Sequence, residues 1–195
     1  MASIYALLDE ESLQLQEWSI ERFIRRAKDV DAKILQYRNK IEPIKTIRKK
    51  LKKIRDLYSG IVIINDYPEL VYLCHGVHVG QEDLKDYEDD PKEAIYEIRR
   101  MTNFFGWIGL STHNLEEIEV ANSLPIDYIG LGAYRSSNTK SDAKVLGDEL
   151  PKLAKLSLHP VAAIGGVRLD DKIDNVTYLV VGSGMYEDGG LRMED

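Results

Sequence analysis

Residues 107–132 read WIGLSTHNLEEIEVANSLPIDYIGLG. An apolar run at 107–112 gives way to a segment at 115–123 with apolar residues at helical spacing. A second apolar run follows at 127–132. Strand, helix, strand in that order is the unit that links two parallel strands through a crossover.

The same alternation extends in both directions. Further strand candidates lie at 4–8, 32–38, 60–65, 76–80, 159–165 and 178–183, which makes eight. Helix candidates lie at 12–27, with Ser12 as its cap, and at 41–58, 87–102 and 141–156. The connections after the third, seventh and eighth strands are short. Repeated β-then-α order implies a parallel sheet, and eight units favour closure into a single (β/α)8 barrel with short final helical segments over an open doubly wound sheet. No Pro-, Gly- or Ser-rich linker divides the chain, so residues 1–195 are expected to form one domain.

Composition narrows the function classes. The chain has 195 residues, 44% apolar and 30% charged, with a formal net charge of -7. That balance suits a globular protein with a sizeable core and argues against general nucleic-acid binding. The basic run from Arg48 to Arg55 carries Leu51 and Ile54 at helical spacing, as a solvated helix face does. The single cysteine, Cys74, leaves no internal disulfide or four-cysteine zinc site and fits a cytoplasmic protein. No apolar run is long enough to span a bilayer, and the opening MASIYALLDEE has acids where a signal peptide carries bases. No membrane or nucleic-acid partner is expected, and the sequence is compatible with a homo-oligomer.

In a (β/α)8 barrel the chemistry sits at the C-terminal ends of the strands. Here those ends are polar in an ordered way. The second strand closes on QYRNK, where Gln36 and Arg38 share one face and Lys40 lies just beyond, a set suited to a polyanion such as pyrophosphate. The third closes on Asn65 and Asp66, and the fourth runs into GVHVGQED, ending at Asp83. Two carboxylates on neighbouring strand ends match the sparse carboxylate ligation of Mg²⁺, although each alone also reads as a loop or capping residue. The fifth closes on Ser111-Thr112-His113-Asn114, and the sixth leads to Ser137-Asn138-Thr139-Lys140. Gly165-Gly166 and Gly182-Ser183, after the seventh and eighth strands, stand where such barrels form a phosphate cup. His78 reads as a satisfied core or rim histidine, and Trp18 and Trp107 as packing residues.

The stretches QYRNK, IINDYPEL, GVHVGQEDL, GLSTHNLEE, DYIGLG, SNTK, AIGGV and VVGSGMY occur in this order. Together they resemble the thiamine phosphate synthase family, including its thiazole tautomerase branch. The resemblance implies two phosphate-bearing substrates, 4-amino-2-methyl-5-(hydroxymethyl)pyrimidine diphosphate and 4-methyl-5-(2-phosphooxyethyl)thiazole, with Mg²⁺ as cofactor. It implies that Gln36, Arg38, Lys40, Asn65 and Lys140 hold the diphosphate, that Asp66 and Asp83 ligate Mg²⁺, and that Ser111 sits by the pyrimidine and its leaving group. Ser137, Thr139, Gly166, Gly182 and Ser183 would hold the thiazole phosphate. Catalysis would then rest on Arg38, Lys40, Ser111 and Lys140. The chain departs from the family at Tyr134-Arg135-Ser136, which replaces an apolar pair and a proline and adds a charge on the thiazole side. A tautomerase, with His113 in acid–base work, and a silent barrel that binds thiamine phosphates are the other readings. The carboxylate pair favours the synthase.

Overall fold

The computed structural model describes residues 1–103, 105–136 and 144–187. Eight strands, β1 (Ser3–Asp9), β2 (Ile34–Arg38), β3 (Ile61–Asn65), β4 (Gly76–Val79), β5 (Trp107–Thr112), β6 (Tyr128–Leu131), β7 (Val161–Ala163) and β8 (Tyr178–Val181), pair in parallel in chain order. The circle closes where β8 pairs with β1, with Ser3 opposite Tyr178 and Ala6 opposite Val181. The expected (β/α)8 barrel is therefore the fold, and all eight expected strands are present.

Side chains alternate across each strand, so every second residue enters the barrel. Tyr5, Ile34, Ile63, Tyr128, Ala162 and Val180 form the inner cluster. Their neighbours Ala6, Leu35, Val62, Ile64, Ile129, Leu131 and Val181 face outward into a larger core shared with the helices. That outer layer is supplied by α1 (Glu10–Leu15), α2 (Ile20–Asp29), α3 (Ile44–Leu57), α4 (Pro91–Met101), α5 (Leu115–Ala121) and α6 (Leu150–Ala154). On α3, Ile47, Leu51 and Ile54 are fully buried while Lys45, Arg48, Lys49 and Lys52 are exposed, so the basic run is the solvated face expected. Among the described residues no helix is long and apolar enough to cross a membrane.

Three expected helices need correction. Residues 12–27 are not one helix but α1 and α2. The Asp9 carboxylate accepts from the N–H of Ser12 and starts the first, and Ser19 accepts from Arg22 N and starts the second. Between them Glu17 takes a left-handed conformation, φ 53°. Two capping side chains this close stop and restart the helix, which apolar spacing alone does not reveal. Likewise α4 starts at Pro91, capped by Asp90, rather than at residue 87. Of the helix expected over 141–156, residues 141–143 lie outside the described part, and the rest holds a 3-10 turn at Gly147–Glu149 before the short α6. The short final units are as expected: residues 164–177 contain no helix, and β8 is followed by a 3-10 turn, Ser183–Met185.

Candidate active site

One cavity opens at the C-terminal mouth of the barrel. Gln36, Arg38, Asn65, Ser111, Gly166, Gly182 and Ser183 line it, seven of the residues expected from the sequence. Lys40, Asp66 and Asp83 are not in its lining but sit beside it, linked through the charges of Arg38 and Asp66. Ser137, Thr139 and Lys140 lie outside the described residues.

The cationic side is built by β1, β2 and β3. In the parallel register Asp9 stands opposite Arg38, and the guanidinium donates to the Asp9 carboxylate. Asp9 is buried and also accepts from the amide and hydroxyl of Ser12, at 3.0 and 2.9 Å. Its negative charge therefore fixes Arg38 at the rim. Gln36 donates through Nε2 to Asn65 Oδ1 at 3.2 Å, which aligns two amides on the cavity wall.

Lys40 Nζ lies 3.0 Å from Asp66 Oδ2. Asp66 has φ 66°, a left-handed conformation that Asp tolerates, while its N–H still bonds to His78 O at 2.9 Å. Burial pushes the Asp66 carboxyl above the usual carboxylate range, with the Lys40 ammonium opposing and the charge of Asp83 adding to the rise. Asp83 accepts from Gly80 N–H at 2.8 Å, the turn-capping contact weighed from sequence, while its charge reaches Asp66. Two carboxylates whose mutual field raises one of them form a donor set that a divalent cation would relieve. Among the described residues no group of three or more His, Cys, Asp and Glu gathers as a metal site. A cation held by Asp66 and Asp83 would take its remaining oxygens from water or a bound phosphate, as suits Mg²⁺.

The opposite wall carries the glycine turns. Gly165 and Gly166 have φ 89° and 62°, where a side chain is strained. A Cβ on Gly166 would also meet Arg135 Cβ at 2.7 Å. The β6 loop is zipped to this turn: Tyr134 N donates to Ile164 O and Arg135 N to Gly165 O, both at 2.8 Å. Arg135 then bonds Gly166 O at 3.0 Å and grips Asp171 with two bonds of 2.7 Å. Asp171 in turn accepts from Arg168 N at 2.7 Å. Arg135 is absent from the cavity lining, so its charge is spent on Asp171 and braces the turn from behind.

Inside the mouth, Ser111 Oγ lies 3.0 Å from His78 Nε2, and His78 Nδ1 lies 3.0 Å from the Tyr128 hydroxyl. The reading of His78 as a satisfied rim histidine holds, yet it also lines the cavity. Sequence reasoning assigned no functional role to Asp9 or His78. The strand-end rule finds Asp9 once it is applied to β1 as well. His78 carries no such mark, because it sits among apolar neighbours. His113 is half exposed and pairs with Glu117, Nδ1 to Oε2 at 2.9 Å.

Comparison with known proteins bears on this rim. A family model described as thiamine monophosphate synthase matches residues 4–178. The thiamine-phosphate synthase of Persephonella marina is 36% identical over 171 residues, covering 85% of this chain and 77% of the relative. That of Dictyoglomus turgidum is 36% identical over 167 residues, covering 80% and 71%. Among solved structures, a thiamine phosphate pyrophosphorylase from Pyrococcus furiosus superposes with a TM-score of 0.74 at 23% identity, covering 95% of this chain and 88% of that one. A (S)-3-O-geranylgeranylglyceryl phosphate synthase from Thermoplasma acidophilum superposes at 0.63 with 10% identity, covering 96% and 88%. At such identities the structural likeness is one of fold. The sequence matches go further: this chain belongs to the thiamine monophosphate synthase family.

Proposed function

We propose that the chain is a thiamine-phosphate synthase, a transferase that joins the pyrimidine diphosphate to the thiazole phosphate and releases pyrophosphate. The observation that carries this reading is a single cavity with two unlike walls. One has Arg38 fixed by Asp9 beside the Asp66–Asp83 pair, and the other has the Gly166 and Gly182-Ser183 turns. Each wall suits one phosphate-bearing substrate.

In this reading Gln36, Arg38, Lys40 and Asn65, with Lys140, bind the diphosphate. Gly166, Gly182 and Ser183, with Ser137 and Thr139, bind the thiazole phosphate. Asp66 and Asp83 would hold Mg²⁺, which when bound supplies charge neutralisation for the departing pyrophosphate. The C–O bond to the diphosphate breaks, and its electron pair leaves with pyrophosphate. Arg38 and Lys40 stabilise that charge, the term that usually dominates such steps. The aminopyrimidine spreads the resulting cation, and the thiazole nitrogen forms the new C–N bond with its lone pair. No protein nucleophile is needed. A cytoplasmic setting fits the lone Cys74, whose thiol is pushed up by burial.

The test is incubation with both substrates and Mg²⁺, with thiamine phosphate read as fluorescent thiochrome after oxidation. Product with Mg²⁺ and none with EDTA is the expected result. No product under either condition overturns the assignment. Aromatisation of a non-aromatic thiazole phosphate tautomer by proton transfer, without the pyrimidine, would move the chain to the tautomerase branch.

A further inference from the structure

Below the mouth a hydrogen-bonded chain runs through the barrel interior: Ser111 Oγ to His78 Nε2 at 3.0 Å, His78 Nδ1 to Tyr128 Oη at 3.0 Å, and Tyr128 Oη to Tyr5 Oη at 2.8 Å. It joins strands β5, β4, β6 and β1. The fold makes room for it. A Cβ on Gly109 would fall 2.1 Å from Tyr128 Cζ, and one on Gly130 would fall 2.9 Å from His78 Cε1. Both phenols are fully buried, with ring centroids 6.0 Å apart in an edge-on pair.

The direction of this chain follows from counting protons. The Tyr5 hydroxyl has one hydrogen-bond partner among the described residues, Tyr128. In the inner cluster around it, Ile34, Ile63, Ala162 and Val180 carry no acceptor, and Tyr178, its ring edge-on at 6.3 Å, makes no hydrogen bond to the Tyr5 hydroxyl. If Tyr128 donated to Tyr5, the Tyr5 proton would be buried without an acceptor, which is costly. So Tyr5 donates to Tyr128, and Tyr128 donates to His78 Nδ1. The imidazole proton is then on Nε2 and is donated to Ser111 Oγ. A doubly protonated His78 fails the same count, since its Nδ1–H would turn the Tyr128 proton back on Tyr5. Burial holds both phenols above their ordinary range, so they stay protonated donors.

We propose that Tyr5, Tyr128 and His78 are positioning residues that keep the Ser111 proton off His78 and so available for donation into the cavity. This rests on the synthase reading for what it serves: Ser111, which accepts from His78 Nε2–H and so cannot donate back to it, turns its own proton to an acceptor atom of the pyrimidine diphosphate. With His78 in the other tautomer, Ser111 would spend its proton on the bare Nε2 instead. The buried chain removes that option before substrate arrives, which is the preorganisation that catalysis rewards.

Two-bond ¹H–¹⁵N correlation spectra of the free protein, labelled at histidine, test the direction. His78, assigned by the signal lost in His78→Asn, should be the neutral Nε2–H tautomer. Tyr128→Phe removes the donor to Nδ1 and should shift that tautomer. In the synthase assay it should lower kcat roughly tenfold while KM for the thiazole phosphate stays put. Added to Ser111→Ala, Tyr128→Phe should cost nothing further. An Nδ1–H tautomer in the wild type overturns the proposal. So does an unchanged kcat in Tyr128→Phe, or a loss that adds in full to that of Ser111→Ala. The tautomer is read without substrate, so failure of the synthase reading leaves this measurement able to decide the direction of the chain.

Discussion

The Lys40 ammonium rests on Asp66, with Nζ 3.0 Å from Oδ2. The cation that the sequence assigns to pyrophosphate thus sits on a carboxylate that the sequence assigns to a metal. The pairing is half exposed on the lysine side, so it is a weak contact that incoming ligands can exchange. It also explains why the rim tolerates two neighbouring carboxylates before substrate binds.

Asp66→Asn should lower turnover on the order of 10²-fold, about 2.7 kcal/mol of transition-state stabilisation. The loss should shrink as Mg²⁺ is raised, by mass action. Stability should move the other way. The Asp66 carboxyl is raised, with burial the largest cause. The folded state therefore binds its proton more tightly than the unfolded chain does. The penalty for ionising it is absent below the unfolded carboxylate pKa of about 3.9 and is complete above the raised folded value. Without divalent ions, Asp66→Asn should be at least as stable as the wild type at neutral pH, with the difference vanishing in acid. Denaturant titrations at several pH values with EDTA check this. A variant less stable at neutral pH would show that Asp66 is not electrostatically strained.

Asp9→Asn should cost roughly tenfold in kcat/KM for the pyrimidine diphosphate, because Arg38 loses the charge that fixes it. The amide oxygen can still accept from Ser12 N, so the start of α1 should survive with a stability loss of about 1 kcal/mol or less. Kinetics on both substrates separate this from a global effect: KM for the thiazole phosphate should stay unchanged.

Arg135→Ala should raise KM for the thiazole phosphate roughly tenfold with little change in kcat, since the residue braces the Gly165-Gly166 turn without lining the cavity. Asp171→Asn should do much of the same, and the double variant little more. The Arg135 guanidinium holds the Asp171 carboxyl below its usual range. The brace therefore persists above the unfolded carboxylate pKa and lets go only as pH falls through the depressed folded value. If Arg135→Ala instead lowers kcat and leaves KM alone, the residue acts on the reaction rather than on the turn.

Gly109→Ala should destabilise the barrel by about 1–3 kcal/mol, because the new methyl group would overlap the Tyr128 ring in a filled interior. A lower urea midpoint at unchanged m-value is the expected signature. An unchanged midpoint would mean that the ring has room to move, and would weaken the case for a rigid Tyr128–His78 contact.

The eight strands were legible because a strand buried on both faces writes a short continuous apolar run into the chain, and WIGLST and DYIGL show it without help from their neighbours. The division of 12–27 into two helices was not, because Asp9 and Ser19 act through capping bonds that leave the apolar spacing intact. Gln36, Arg38, Asn65, Ser111, Gly166, Gly182 and Ser183 could be named from the sequence because a closed parallel barrel sends all strand ends to one mouth. Partner choice had to wait for the tertiary structure. Arg38 meets Asp9 across 29 residues, Arg135 meets Asp171 across 36, and Tyr5 meets Tyr128 across 123. Periodicity says which face a residue takes. It is silent on the register and closure that decide which inward side chains meet, and those are set only when all eight strands pair at once.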